Sequence, residues 1–368
     1  MSNQTLYTNL LSNLSEETSV VKKRGFDFIA KPIPDSSVTG GLDPRVLHVN
    51  LQVAEQMAMM GNQSFDPADT MSFVNGMRAM MGWNNEDVTT SKIETTYKVI
   101  EGKNGTIPLR IYTPSNEGNL PAVVFFHGGG FIGGSVDVVE NPCKALAEKA
   151  GAVVISVDYR LAPEHPYPAG LTDSFEAVTW VYEHATELRV SPQQIAVSGD
   201  SAGGNLATVC ALMDSEKGTK MIKLQALIYP TVNMAGVQTE DFEWSRDQYE
   251  IRNHSELIIP MLEGMAGSSE LLFQLYLQNN GEITDPHVSP LLSNKLSNMP
   301  QTLIVTAEFD YLKVECEAYA AKLARSGVTT KLIQYNGTDH AFMDKIGLYP
   351  QAEDLMNEIA KEIKRVFI

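Results

Sequence analysis

From Ser91 onward, apolar runs recur along the chain and predict strands. They fall at Thr95 to Ile100, Ile107 to Tyr112, Ala122 to Phe126, Ala152 to Tyr159, Ile195 to Ser198, Leu224 to Tyr229, Thr302 to Ala307 and Lys331 to Tyr335. The first two face each other across Gly102 to Gly105 as a hairpin. Between the later runs the spacing turns helical: Leu171, Phe175, Val178 and Tyr182 share one face, and Leu355, Ile359 and Ile363 share another near the C-terminus. Continuous apolar strands separated by helices predict an α/β fold. Its expected form is an eight-stranded, mostly parallel sheet with helices on both faces.

Three stretches lie outside this alternation. Residues 1 to 45 are polar, without a sustained period, and are expected to form a poorly ordered N-terminal extension. Residues 46 to 90 hold seven of the 16 methionines, all between Met57 and Met81. Apolar spacing there predicts two short helices separated near Gly61 to Asp66. A methionine stripe is usually core packing, but flexible thioethers also suit a cap over a pocket that accepts varied apolar groups. Residues 231 to 280 interrupt the alternation after the sixth strand, and Trp244, Tyr249 and the helical stretch Leu257 to Met265 are expected to extend that cap. The remainder of 91 to 368 forms one large α/β domain.

The chain has 368 residues, 43% of them hydrophobic, enough for a large core. Its formal net charge of −17 repels phosphate backbones and anionic membranes, so neither nucleic acid nor a membrane is an expected partner. Cys143, Cys210 and Cys316 have no metal-ligand spacing and suit a reducing compartment. Met1 to Gly25 lacks the pattern of a signal peptide and no stretch is long and apolar enough to span a bilayer, so a cytoplasmic location is expected.

Candidate chemistry centres on Gly199-Asp200-Ser201-Ala202-Gly203, which ends the fifth strand run and passes directly into a helical run. A serine on such a sharp strand-to-helix turn is held up at the carboxyl edge of the sheet, and side chains at Gly199 or Gly203 would clash with neighbouring chain. A serine hydroxyl needs a base, and the base needs an acid to orient it. His340, in the loop after the last strand, is the expected base. Asp310, at the end of the seventh strand, is the expected acid. Asp339 is adjacent to His340 in sequence and so poorly placed to meet its ring, and Glu308 is still within the strand pattern. His48, His165, His184, His254 and His287 are expected in surface, packing or structural roles. Backbone N–H groups of Gly128, Gly129, Gly130 and Ala202 are the expected oxyanion donors, with His127 holding the loop.

The same glycine segment admits a rival reading. Gly128, Gly130 and Gly133 match a dinucleotide fingerprint, with Asp158 ending the next strand. Asp158 lies beyond the expected spacing of about 20 residues, Gly134 and Ser135 interrupt the required helix, and Ser201, Asp310 and His340 would be left as coincidences. A third reading is a non-catalytic ligand receptor on the same fold; such a protein typically lacks one of the three reactive residues.

Three motifs in order, His127-Gly128-Gly129-Gly130-Phe131, Asp158-Tyr159-Arg160-Leu161-Ala162-Pro163-Glu164 and Gly199-Asp200-Ser201-Ala202-Gly203-Gly204-Asn205, resemble those of the bacterial hormone-sensitive-lipase-like carboxylesterases. The resemblance covers about residues 90 to 368. It implies an α/β-hydrolase core with a helical cap, hydrolysis of short- to medium-chain carboxylic esters as small-molecule substrates, and no cofactor or metal. It implies Gly129 and Gly130 as the donors in the glycine loop, Gly128 shaping the turn, and a homodimer formed through the last strand, Lys331 to Tyr335. The chain departs from the family in Tyr311-Leu312-Lys313-Val314-Glu315-Cys316, where Val314 replaces an aspartate that would support Asp310, and in its N-terminal extension.

Overall fold

A computed structural model describes residues 3–60 and 69–368. All eight expected strands are present, as β3 (Glu94–Gly102), β4 (Gly105–Thr113), β5 (Leu120–Phe126), β6 (Val153–Val157), β7 (Val190–Asp200), β8 (Ile222–Ile228), β9 (Gln301–Phe309) and β10 (Thr330–Asp339). Two more precede them, β1 (Ser19–Lys23) and β2 (Phe26–Lys31). Among the described residues the sheet therefore has ten strands, in the order β1-β2-β10-β9-β8-β7-β5-β6-β4-β3. The run from β2 through β10, β9, β8, β7 and β5 to β6 is parallel, and the margins are antiparallel. Every residue of β5 and β6 is buried, which is why these strands are unbroken apolar runs.

Helices α4 (Glu140–Ala150) and α9 (Pro350–Phe367) pack together, and α1 (Asn3–Glu16) lies on α9. On the other face α5 (Ala169–Glu183) meets α6 (Ala202–Lys217), and Thr208 of α6 shares a hydrogen bond with Tyr319 of α8 (Lys313–Arg325). The predicted faces hold, since Leu355, Ile359 and Ile363 are buried, as are Leu171, Phe175 and Val178; Tyr182 alone lies at the surface.

The N-terminal stretch is not loose. Arg24 and Gly25 take left-handed conformations (φ 55° and 70°) and close a two-residue hairpin turn that pairs Lys23 with Phe26. Strand β2 then joins β10 in parallel, Ile29 opposite Ile333 and Lys31 opposite Tyr335, burying Phe28 and Ala30. Lys31, 1% exposed, lies 2.5 Å from Asp354 and 3.0 Å from Glu358 of α9. These contacts come from the opposite end of the chain, so local pattern does not announce them. They also correct the expected dimer margin: Lys331 to Tyr335 is an interior strand, its open side taken by β2.

The methionine-rich stretch forms α2 (Pro44–Met60) and α3 (Thr70–Met80), the latter capped by Asp69, whose carboxylate accepts from the Ser72 amide at 3.1 Å. The separation expected near Gly61 to Asp66 lies outside the described residues. In the second insertion, α7 (Ser255–Leu277) extends well past the expected Leu257 to Met265.

Candidate active site

Ser201 stands between β7 and α6 with φ 55° and ψ −116°, a conformation a side chain rarely adopts and one the packed turn must enforce. The flanking glycines permit it. A Cβ on Gly199 would lie 2.5 Å from the Phe126 oxygen, and one on Gly203 would lie 2.5 Å from the His127 oxygen. The Ser201 amide donates to the Ile228 oxygen at 2.9 Å, which ties the turn to the end of β8.

The three side chains singled out from sequence meet here. Ser201 Oγ is 3.1 Å from His340 Nε2, and His340 Nδ1 is 2.7 Å from Asp310 Oδ2. Asp310 is fully buried; its other oxygen accepts the Leu312 amide at 2.8 Å, and its carbonyl oxygen accepts from the Tyr249 hydroxyl at 2.9 Å. These bonds supply the support that Val314, itself buried, does not. Burial pulls the His340 imidazole toward a lower pKa, but the charge and hydrogen bond of Asp310, with Asp200 beyond, outweigh it and raise the ring above its ordinary value.

The glycine loop passes beside the serine. Gly129 (φ 123°) and Gly130 (φ 60°) both need glycine's freedom. Among the described residues, the amides of Gly129, Gly130 and Ala202 donate to no other protein group, which leaves them available to a ligand. Gly128 differs. Its amide donates to Asp200 Oδ1 at 2.8 Å, so the expectation that Gly128 is itself an oxyanion donor is corrected: that N–H is spent holding the loop against the serine turn. His127 matches its structural reading. It stacks on Tyr159 at 4.4 Å, its carbonyl oxygen accepts from the Tyr159 hydroxyl at 2.7 Å, and burial holds its pKa down to about 4.

The dinucleotide reading does not match this geometry. The helix after the loop, α4, begins at Glu140 rather than at Gly133, and Gly128 and Gly130 line the Ser201 cavity. Of the other histidines, His184 stacks on Trp180, His254 accepts the Leu42 amide at 3.1 Å and His287 lies 2.9 Å from Glu216.

The cavity over Ser201 has a volume of about 430 Å³. Val49 and Val53 of α2, Met80 and Met81 at the end of α3, Trp83, and Met265, Leu272 and Phe273 of α7 line it, so both insertions reach the reactive serine. Trp244 and Tyr249, expected in the cap, lie elsewhere: Trp244 Nε1 donates to the Tyr249 hydroxyl at 3.3 Å, and the pair braces Asp310.

Four contributors carried no sequence signal strong enough to single them out. Asp200 occupies a variable position of the serine motif, yet its carboxylate couples that turn to the glycine loop. Burial first, then the nearby Asp344, pushes its pKa up to about 8 against the opposing Gly128 hydrogen bond. Glu315, buried in α8, accepts the Val232 amide at 2.6 Å and holds the chain leaving β8; burial pushes its pKa up to about 7. Arg78 and Asn50, on the two cap helices, reach down to the loops around the serine.

A family model described as an alpha/beta hydrolase fold matches residues 123–344. The chain is 33% identical over 270 residues to an arylesterase of Saccharolobus solfataricus, covering 73% of this chain and 84% of that protein. It is 36% identical over 264 residues to carboxylesterase NlhH of Mycobacterium tuberculosis, covering 70% and 78% respectively. A solved structure of a hyperthermophilic esterase from Pyrobaculum calidifontis superposes with a TM-score of 0.71 at 35% identity, over 88% of this chain and 98% of that one. Similarity of this extent, spanning the sheet and the loops that meet at Ser201, shows that the chain belongs to the hormone-sensitive-lipase-like carboxylesterases of the α/β-hydrolase superfamily and is a carboxylic ester hydrolase.

Proposed function

We propose that Ser201, His340 and Asp310 carry out the ester hydrolysis. Ser201 Oγ attacks the ester carbonyl while His340 Nε2 takes its proton. Asp310 holds the imidazole in the required tautomer and favours the imidazolium that forms. The amides of Gly129, Gly130 and Ala202 receive the oxyanion. Collapse expels the alcohol, which collects its proton from His340, and water, activated by the same imidazole, then releases the acid from the acyl-serine. The observation that carries this reading is the continuous line from Ser201 Oγ through the imidazole to buried Asp310, at 3.1 and 2.7 Å.

The substrates that fit are uncharged esters of short- to medium-chain acids. A cavity of about 430 Å³ walled by Met81, Trp83, Leu272 and Phe273 supports a modest apolar acyl group, and residues 46 to 90 with 231 to 280 act as its cap. The three cysteines, buried and unpaired, fit a cytoplasmic setting. A homodimer would use a surface other than Lys331 to Tyr335. The test is turnover of p-nitrophenyl butyrate by the wild type and by Ser201→Ala. Wild-type turnover with a roughly 1,000-fold or greater loss in the folded variant is expected. No wild-type turnover would favour a ligand receptor, and an active Ser201→Ala would mean a different nucleophile.

A further inference from the structure

The segment before residue 60 touches the His340 loop at two points that the proposed chemistry does not use. Strand β10 leaves register with β9 between Tyr335 and Asp339, and two left-handed residues, Gly337 (φ 74°) and Ala341 (φ 59°), bracket the turn that presents His340. A turn of this shape needs anchors. On one side the Gly337 amide donates to Glu308 at 2.7 Å. On the other, the Gly337 carbonyl accepts the Asp43 amide at 2.9 Å. Asp43 is itself fixed: it is fully buried, and its carboxylate accepts from the Arg45 amide at 2.8 Å and from Gln351 at 2.7 Å. Helix α2 starts from that anchor. Two turns along it, Asn50 Nδ2 donates to Asp339 Oδ2 at 2.8 Å.

Asp339 immediately precedes His340 and is 8% exposed, and among the described residues its other oxygen has no protein partner. The bond from Asn50 is therefore the hydrogen bond that holds this carboxylate to the rest of the fold. We infer that Asn50 is a positioning residue for the reaction: through Asp339 it sets where the His340 backbone sits, and so how closely the imidazole approaches Ser201. The inference rests on the proposed roles of Ser201 and His340. The Nε2 to Oγ separation of 3.1 Å leaves little slack, because a shift of about 1 Å at such a contact costs about 100-fold in rate.

The experiment uses the full chain and p-nitrophenyl acetate, with melting temperature as a folding control. Asn50→Leu, nearly isosteric but without the donor, is expected to lower kcat about 10-fold while KM changes by less than about two-fold, and to slow phosphorylation of Ser201 by diethyl p-nitrophenyl phosphate by the same factor. Two variants keep the bond. Asp339→Asn can still accept from Asn50, and the exchange Asn50→Asp with Asp339→Asn reverses donor and acceptor; both should retain most of the wild-type kcat. Should Asn50→Leu fail to fold, Asn50→Ser, too short to reach Asp339, takes its place. Unchanged kcat in the bond-deleting variant would overturn the inference, and so would equal losses in the bond-keeping pair. Ser201→Ala run in parallel separates the two levels of argument: if it is inactive while Asn50→Leu is normal, only the role of Asn50 falls.

Discussion

Arg78 Nε donates to the Ile132 carbonyl oxygen at 2.6 Å, so a helix that walls the cavity is bolted to the glycine loop beneath it. The same guanidinium holds Glu164 through two bonds of 2.8 Å and reaches the Ala162 oxygen at 3.1 Å. Lysine cannot reproduce that fork. Arg78→Lys is expected to lower kcat/KM for p-nitrophenyl butyrate about 10-fold, since its loss loosens both a cap wall and the loop that carries Gly129 and Gly130. Equal kinetics in steady-state assays would show that the loop keeps its shape unaided.

Asp310→Asn should fold normally, because the amide oxygen can still accept from Leu312, yet lose about 10,000-fold in kcat through the wrong imidazole tautomer. The wild-type pH profile carries a related expectation. The imidazole must be neutral to accept the serine proton, and the charge and hydrogen bond of Asp310 raise its pKa despite burial. The acid limb of kcat/KM should therefore have its midpoint above about 6.5, with activity lost as pH falls through it. A midpoint at or below that value would contradict the charge balance described for the site.

Asp200→Asn offers a stability test with a definite sign. Burial and Asp344 raise the Asp200 pKa to about 8, so between the ordinary carboxylate range near 4 and that value the folded state holds a proton that the unfolded state releases. This carboxyl accordingly makes wild-type stability fall as pH rises across that window. Asparagine keeps an acceptor for the Gly128 amide and removes the ionisation. Calorimetry should show a melting temperature that declines less between pH 5 and 9, and the acid limb of activity should stay where it is, because at that pH the wild-type Asp200 is already protonated.

Lys31→Met removes the cation from between Asp354 and Glu358 without changing the side-chain length greatly. Glu358 keeps Lys331 at 3.1 Å and Lys361 at 2.7 Å, so the loss falls on buried Asp354, left with the Tyr335 hydroxyl at 2.7 Å; removing the partner of a buried charge typically costs about 3 to 5 kcal/mol. Urea denaturation at pH 7 should show a loss of that order. A loss below about 1 kcal/mol would indicate that β2 is held by its ladder and apolar contacts alone.

The eight strands from β3 to β10 were legible because each carries its own signature: β5 and β6 are buried along their whole length, and β3 and β4 announce their hairpin through Gly102 and Gly105. Ser201, His340 and Asp310 were legible for a related reason, since each sits where a strand stops. The hairpin β1–β2 was not, because its stability comes from pairing with β10 and from Asp354 and Glu358, all near the far end of the chain. Arg78 and Asn50 act through single hydrogen bonds across the cap boundary, and no spacing rule marks such a residue. Gly128 shows the opposite failure. Its place in the glycine run suggested a donor for the substrate, but the turn brings Asp200 close enough to claim that amide first.

Strand β1 ends the sheet with Ser19-Val20-Val21-Lys22-Lys23, and Val20 is 73% exposed. Lys22 at that rim repels a second molecule approaching ladder to ladder, Lys23 is drawn to Glu317 at 2.6 Å, and the strand is only five residues long. The chain thus supplies its own bookend. Trimming it back past Lys31 would bare the polar backbone of Ile333 to Tyr335 and turn a finished margin into an adhesive one, so a shortened enzyme would be expected to clump before it lost its chemistry.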